Sequence, residues 1–333
     1  MISKLCSLTE IEKLLNEGKS LLLAADEGLL KKVPKGNWIG GTIPYFMAAE
    51  GGLFSREKIF VTEIPSFVQG TEIQFYDDMS IEKIYLDAPD NGFTVLIIPA
   101  NSETHFSFAL NAPKYRDFAT RPLVGWVSGV ELKDLGKVSP KVFNGLTGEA
   151  SDAKAISMRA KLPPEYACDI GIVNIFDQGG GDTLEFTENT FAAKDVLING
   201  VRRRLSEYLV EKKIDLRLPL VANYGGANVN VCLRENDEKT GTVNFYGPVF
   251  KGIEYKIASP VSNYVQDFMK MVPQDSENVL FSCNCILNFL YSELEGKRTG
   301  PFVGPVTFGE IAYQLLNQTM VYLTVMKTEI AEN

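Results

Sequence analysis

Histidine is almost missing from this chain: of 333 residues, only His105 carries an imidazole. The common zinc and non-haem iron sites bring several imidazoles or thiolates to one point, and that supply is absent here. Cysteine is sparse as well. Cys6, Cys168, Cys232, Cys283 and Cys285 make an odd number scattered over a long chain, which reads as free thiols, some of them buried, and not as a disulfide framework. Cys283 and Cys285 are one residue apart, closer than the CxxC spacing of redox pairs or the usual zinc spacing. No apolar run approaches the roughly 18 residues that a membrane span requires. The run Leu21–Ala25 is short, is followed at once by Asp26 and Glu27, and lacks the basic flank of a secretory signal. Positive charge is in deficit, 33 Lys and Arg against 42 Asp and Glu, for a net charge of -9. That balance disfavours a nucleic-acid backbone or an anionic membrane as partner. The one dense basic run, Arg202, Arg203 and Arg204, lies beside Leu205, Tyr208 and Leu209 and reads as the wet face of a helix. These absences lead to the expectation of a cytoplasmic protein with no nucleic-acid partner, no membrane insertion, no metal and no cofactor.

What remains is an ordinary globular composition, 45% hydrophobic and 23% charged, in a chain longer than one usual domain. Leu5, Leu8, Ile11, Leu14 and Leu15 recur at helical spacing, with Ser7 or Thr9 as cap and Gly18 as stop. Apolar, β-branched stretches at 21–25, 58–64, 94–98 and 121–130 read as strands, and helical signal is weak across 100–160. The pattern then shifts. A strand over 169–176 meets Gly179-Gly180-Gly181, the longest amphipathic helix signal of the region covers 196–211, and a strand over 218–224 enters Gly225-Gly226. A helix over 263–271, a strand over 279–283 and a helix near 286–294 follow. Strand-to-glycine turns recur at Gly40-Gly41, 125–129 and Gly225-Gly226, where the main chain can approach another group closely. The fold class expected is α/β: two mixed α/β units, 1–170 and 171–333, packed as one two-part protein.

Few constellations carry chemistry. His105 lies in Ser102-Glu103-Thr104-His105-Phe106-Ser107, which holds the residue types of a nucleophile and its base, yet no G-x-S-x-G elbow accompanies it. A hydrogen-bonded or exposed histidine is the plainer reading. The glycines at 179–181 and 36–41 fit neither GxGxxG nor GxxxxGK[ST] and read as flexible turns. Cys283 depends on its element: in a strand it shares a face with Cys285, and at a helix start its thiol would become more acidic.

The C-terminal segment is the most specific part of the chain. Asn278-Val279-Leu280-Phe281-Ser282-Cys283 is followed by Gly300-Pro301-Phe302-Val303-Gly304-Pro305-Val306-Thr307-Phe308-Gly309-Glu310-Ile311 and by Leu316-Asn317-Gln318-Thr319-Met320-Val321. This order, a strand with Ser-Cys, then Gly-Glu-Ile, then Asn-Gln-Thr entering a last strand, resembles the C-terminal part of the FIST family over about 240–330. Trp38-Ile39-Gly40-Gly41-Thr42 resembles the family's N-terminal strand and turn more faintly, over residues 10–65. The resemblance implies a FIST N-like unit followed by a FIST C-like unit, in a ligand-sensing input domain for small molecules such as amino acids. Its signal would pass to a separate signalling protein, because no output segment is fused. Where family members often carry arginine shortly after Ser-Cys, this chain has Cys285, Ile286 and Leu287, so the same anionic ligand group is not implied. Gly309 and Glu310 can end a strand and begin a helix, where a carboxylate meets free N–H groups or a ligand amine. Asn317, Gln318 and Thr319 supply donors and acceptors for a small polar molecule. Cys283, Glu310, Asn317, Gln318 and Thr319 are therefore the ligand-binding candidates, with convergence at strand ends expected. The alternative is that Glu310 caps its helix and Asn317 ties down a turn. An enzyme of another class, or a non-catalytic scaffold for protein partners, would equally suit the composition.

Overall fold

The computed structural model describes residues 3–224, 227–271 and 278–328, so Gly225-Gly226 lie outside the described residues. The architecture is mixed α/β, with several sheets and few helices. Internal packing groups the chain into one unit of Met1–Val173, Val272–Leu315 and Met320–Asn333, and another of Asn174–Met271 with Leu316–Thr319. The expected first boundary at 170/171 lies close to the observed 173/174. The expected continuous unit 171–333 does not form, because the chain returns to the first unit for its Val279–Cys285, Gly304–Thr307 and Met320–Lys327 strands.

In the first unit, one sheet runs in the order Ser3–Cys6, Ile59–Glu63, Leu21–Ala25, Trp38–Thr42, Val142–Asn144, Glu149–Ser151. A second contains Glu310–Ala312, Leu123–Ser128, Gly92–Pro99, Ala155–Lys161 and Gly70–Tyr76 in that order. Each holds one parallel pair at its centre, Leu21–Ala25 with Trp38–Thr42 and Gly92–Pro99 with Leu123–Ser128. Parallel neighbours need a crossover, and here short helices, Glu27–Leu30 and Glu103–Asn111, provide it. Both faces of these central strands are covered, which is why they read as unbroken apolar runs. Leu21, Leu23 and Ala25 pack with Ile11, Leu14 and Leu30 on the helical side. Leu96 and Ile98 do the same with Phe108 and Ala112. The opposite faces of the two sheets meet at Gly41, where an added Cβ would stand 2.7 Å from Ile97 Cγ2 and 2.9 Å from Trp126 Nε1. A third sheet joins Tyr166–Val173, Met320–Lys327, Val279–Cys285, Gly304–Thr307, Tyr45–Ala48 and Gly51–Phe54.

The N-terminal helix is Leu8–Asn16, with Ser7 as cap in a capping box with Glu10 and Gly18 in the left-handed region just beyond its end. Leu5, which fits the helical spacing, instead lies in an edge strand opposite Phe60. Residues 100–160 contain a helix the periodicity underplays, Glu103–Asn111, capped by Ser102.

The second unit has a sheet in the order Val201–Arg204, Asp195–Ile198, Leu184–Glu185, Glu254–Ile257, Leu220–Tyr224, Ala227–Val231, and a three-stranded sheet beside it. Its core gathers Leu184, Val196, Leu205, Leu209, Leu220, Phe245 and Tyr255. The helix expected over 196–211 is replaced by a hairpin, 195–204, followed by the short helix Leu205–Glu211. Asn199-Gly200 decides this. Both residues take positive φ, 48° and 80°, the two-residue turn whose twist matches a hairpin. The arginines accordingly lie on a strand, where Arg202 and Arg204 pair with Asp195.

Candidate functional site

The candidates from the C-terminal motifs divide between the units: Cys283 and Glu310 belong to the first, Asn317, Gln318 and Thr319 to the second. All five are buried.

Cys283 lies within the Val279–Cys285 strand, and it is Cys285 that stands at the N-cap of the Ile286–Tyr291 helix. The Cys283 thiol donates to Gly125 O at 3.4 Å. Burial pushes its pKa well above the ordinary thiol value, and the Glu310 charge pushes it further. A thiol so held is protonated and shielded, the opposite of an activated nucleophile. Glu310 begins a strand, Glu310–Ala312, and no helix, so the N-terminal N–H groups expected around it are not there. It sits directly across from Trp126 in the antiparallel ladder, so both side chains share a face. Its Oε1 accepts from Thr307 Oγ1 at 3.4 Å. Trp126 stacks on Phe281 at 5.4 Å. Cys283, Thr307, Glu310 and Trp126 thus form a buried polar centre that sequence spacing brought only partly to notice.

In the second unit the 316–319 turn is held by an amide network. Asn230 Nδ2 donates to Asn174 Oδ1 at 2.9 Å, to Asn317 O at 3.1 Å and to Gln318 O at 3.4 Å. Asn174 Nδ2 returns a bond to Asn230 Oδ1 at 3.0 Å. The Gln318 side chain accepts from Cys232 Sγ and donates to Arg217 O. These bonds account for why amide side chains are needed here, since buried carbonyls demand donors.

An open site exists elsewhere in the first unit. A cavity of about 340 Å³ lies at the carboxyl ends of both central parallel pairs, lined by Asp26, Glu27, Thr42, Arg56, Glu131 and Asp134 among others. Ligands in α/β sheets favour that position, because the loops leaving the strands diverge there. Each wall follows from the local sequence. Asp26 ends the Leu21–Ala25 run and caps the next helix through Gly28 N at 2.9 Å. Glu131 and Asp134 flank a single 3-10 turn after Gly129. Arg56 spans them, its Nε 2.8 Å from Asp26 Oδ2 and its Nη1 3.1 Å from Glu131 Oε2 and 3.6 Å from Asp134 Oδ2. Burial works to raise the Glu27 pKa, but hydrogen bonds from Lys141 and Lys31 outweigh it and hold the carboxyl below its ordinary range. Burial raises the Tyr45 phenol, whose oxygen accepts from Leu132 N. A broader groove of about 1300 Å³ borders the edge strand Gly70–Tyr76. Its Arg159 is already engaged by Glu72 and Asp87. Among the described residues no group of three or more His, Cys, Asp and Glu is placed to hold a metal. Nor is any described helix long and apolar enough to cross a membrane.

One protein-family model matches residues 6–326. The chain belongs to that family, a family of unknown function, DUF6976. No curated protein matches it. In this DUF6976 chain the sequence does offer one pointer to the cavity, a charged pair, Asp26 and Glu27, placed at the end of an apolar strand. Arg56, Glu131 and Asp134 carry no such signal, since charged residues in polar turns look alike.

Proposed function

We propose that this chain binds a small polar molecule in the cavity bounded by Asp26, Arg56, Glu131 and Asp134, as a sensory domain of the FIST kind. On this reading it is a cytoplasmic protein of two mixed α/β units that passes its state to a separate signalling partner. The observation carrying the proposal is the cavity itself: about 340 Å³, within the size range of small-molecule sites, with charged groups converging from separate loops on a rigid strand scaffold.

A thermal-shift screen of the purified chain against amino acids, amines, nucleotides, organic acids and metal ions tests it, because a ligand that binds only the native state raises its apparent stability. The expected result is a saturable rise that Ser139→Trp abolishes by filling the cavity, in which Ser139 is a wall residue. A rise that survives Ser139→Trp but disappears in Glu310→Gln or Asn317→Ala would place the ligand at the C-terminal motifs instead. No rise with any compound would sink the sensory reading in favour of a scaffold.

A further inference from the structure

Resting on that reading of the cavity, we propose that its ligand is cationic, carrying a guanidinium or alkylammonium head, and that Arg56 is a built-in competitor for the same carboxylates. The lining holds four carboxylates, Asp26, Glu27, Glu131 and Asp134, against two cations, Arg56 and Lys31. Glu27 is matched by Lys31 and Lys141, at 2.6 and 2.7 Å. The remaining three all face one guanidinium, that of Arg56, and Lys133 reaches Glu131 alone. An anion entering this field meets like charge on three sides. A cation finds acceptors already spaced for N–H donors, as Arg56 itself demonstrates.

The competitor is displaceable. The Arg56 side chain is 46% exposed, and an exposed ion pair contributes little to stability, so exchanging one guanidinium for another costs the fold little. Its carboxylate partners are much less accessible, Glu131 at 12% and Asp26 at 19%. The cavity therefore offers partly desolvated acceptors, which a mobile cation can share with or take from Arg56. Charge-assisted hydrogen bonds of this kind favour the geometry of a planar guanidinium.

The experiment uses agmatine as cationic probe and glutarate as an anion of similar length, titrated calorimetrically into the whole chain at fixed ionic strength. The expected result is agmatine binding that strengthens roughly tenfold or more in Arg56→Ala, where the competitor is gone, and weakens roughly tenfold in Glu131→Gln and in Asp134→Asn. Ser139→Trp abolishes it, and glutarate does not bind. Arg56→Lys, which keeps the charge but not the fork, gives an intermediate affinity and serves should Arg56→Ala not fold. Glutarate binding that is lost in Arg56→Ala overturns the cation preference while leaving the cavity as the ligand site. Agmatine binding indifferent to Glu131→Gln, Asp134→Asn and Ser139→Trp overturns it by placing the contact elsewhere. Absence of agmatine binding in both the natural chain and Arg56→Lys overturns it also, and the broader screen then decides the fate of the cavity.

Discussion

The single histidine makes one electrostatic prediction unusually clean. His105 lies in the first turn of the Glu103–Asn111 helix, buried, with its own N–H held by the Ser102 cap at 3.0 Å. Its Nδ1 accepts from Asn101 N at 3.3 Å, so that nitrogen carries no proton. Protonating the ring would place a second hydrogen against that N–H and a positive charge beside a helix N-terminus. Burial lowers the pKa from 6.5 to about 4. A base whose folded pKa is depressed stabilises the fold fully above its unfolded pKa, and loses that contribution as pH falls towards the folded value. At about 1.4 kcal/mol per pH unit the gap amounts to roughly 3 kcal/mol, of which about 2 kcal/mol is lost between about pH 8 and about pH 5. Urea midpoints at the two pH values, for the natural chain and for His105→Gln, isolate this contribution as the difference between their pH dependences. NMR offers a direct check, since one imidazole gives one set of ring signals. If those signals titrate near the unperturbed pKa of about 6.5, or if His105→Gln leaves the pH dependence of stability unchanged, the reasoning fails.

Two packing predictions follow from the same kind of accounting. Asn230→Ala removes the donor for Asn317 O, Gln318 O and Asn174 Oδ1 and leaves buried acceptors unpaired, a loss of about 3 kcal/mol. Hydrogen exchange over 313–322 is expected to quicken, and unchanged exchange would mean the amide network does not hold that turn. Gly41→Ala puts a Cβ within 2.7 Å of Ile97 Cγ2 and 2.9 Å of Trp126 Nε1, so the facing sheets must part, at about 1–3 kcal/mol. Denaturant unfolding monitored by Trp126 and Trp38 fluorescence would show it, and a midpoint equal to the natural chain's would mean the sheets are less closely packed than that.

The elements that were legible in the sequence are those whose signal is local. The central strands Leu21–Ala25 and Gly92–Pro99 are covered on both faces, so continuous apolar runs announce them. Ser7 and Gly18 mark the first helix because a cap acts on neighbours within one turn. The misread stretches are those where two patterns overlap. Over 196–211, apolar spacing suits a helix, yet Asn199-Gly200 imposes a hairpin and the helix begins only at Leu205. Leu5 fits a helical stripe until pairing with Phe60 claims it for a strand, a contact between residues far apart in sequence. The nested order of the units is equally non-local, since nothing in the 272–315 stretch itself says that it rejoins strands laid down before residue 173.

The same distinction separates the two kinds of candidate site. The Ser-Cys, Gly-Glu-Ile and Asn-Gln-Thr motifs stand out because unusual side chains sit inside apolar stretches, and burial is a strong local constraint on residue type. Cys283 bonding to Gly125 O, Thr307 to Glu310, and Asn230 to the Asn317 and Gln318 carbonyls show that constraint being met internally. The cavity residues are inconspicuous for the opposite reason. Arg56 finds Asp26 at a separation of 30 residues and Glu131 at 75, and each alone is an ordinary charge in an ordinary turn. Only folding makes them one field. A ligand must reach its site from solvent, and so the groups that meet it come from loops, where sequence pattern is least informative. The distinctive motifs and the accessible charges are for that reason in different places, and it is the accessible charges that can exchange partners with a ligand.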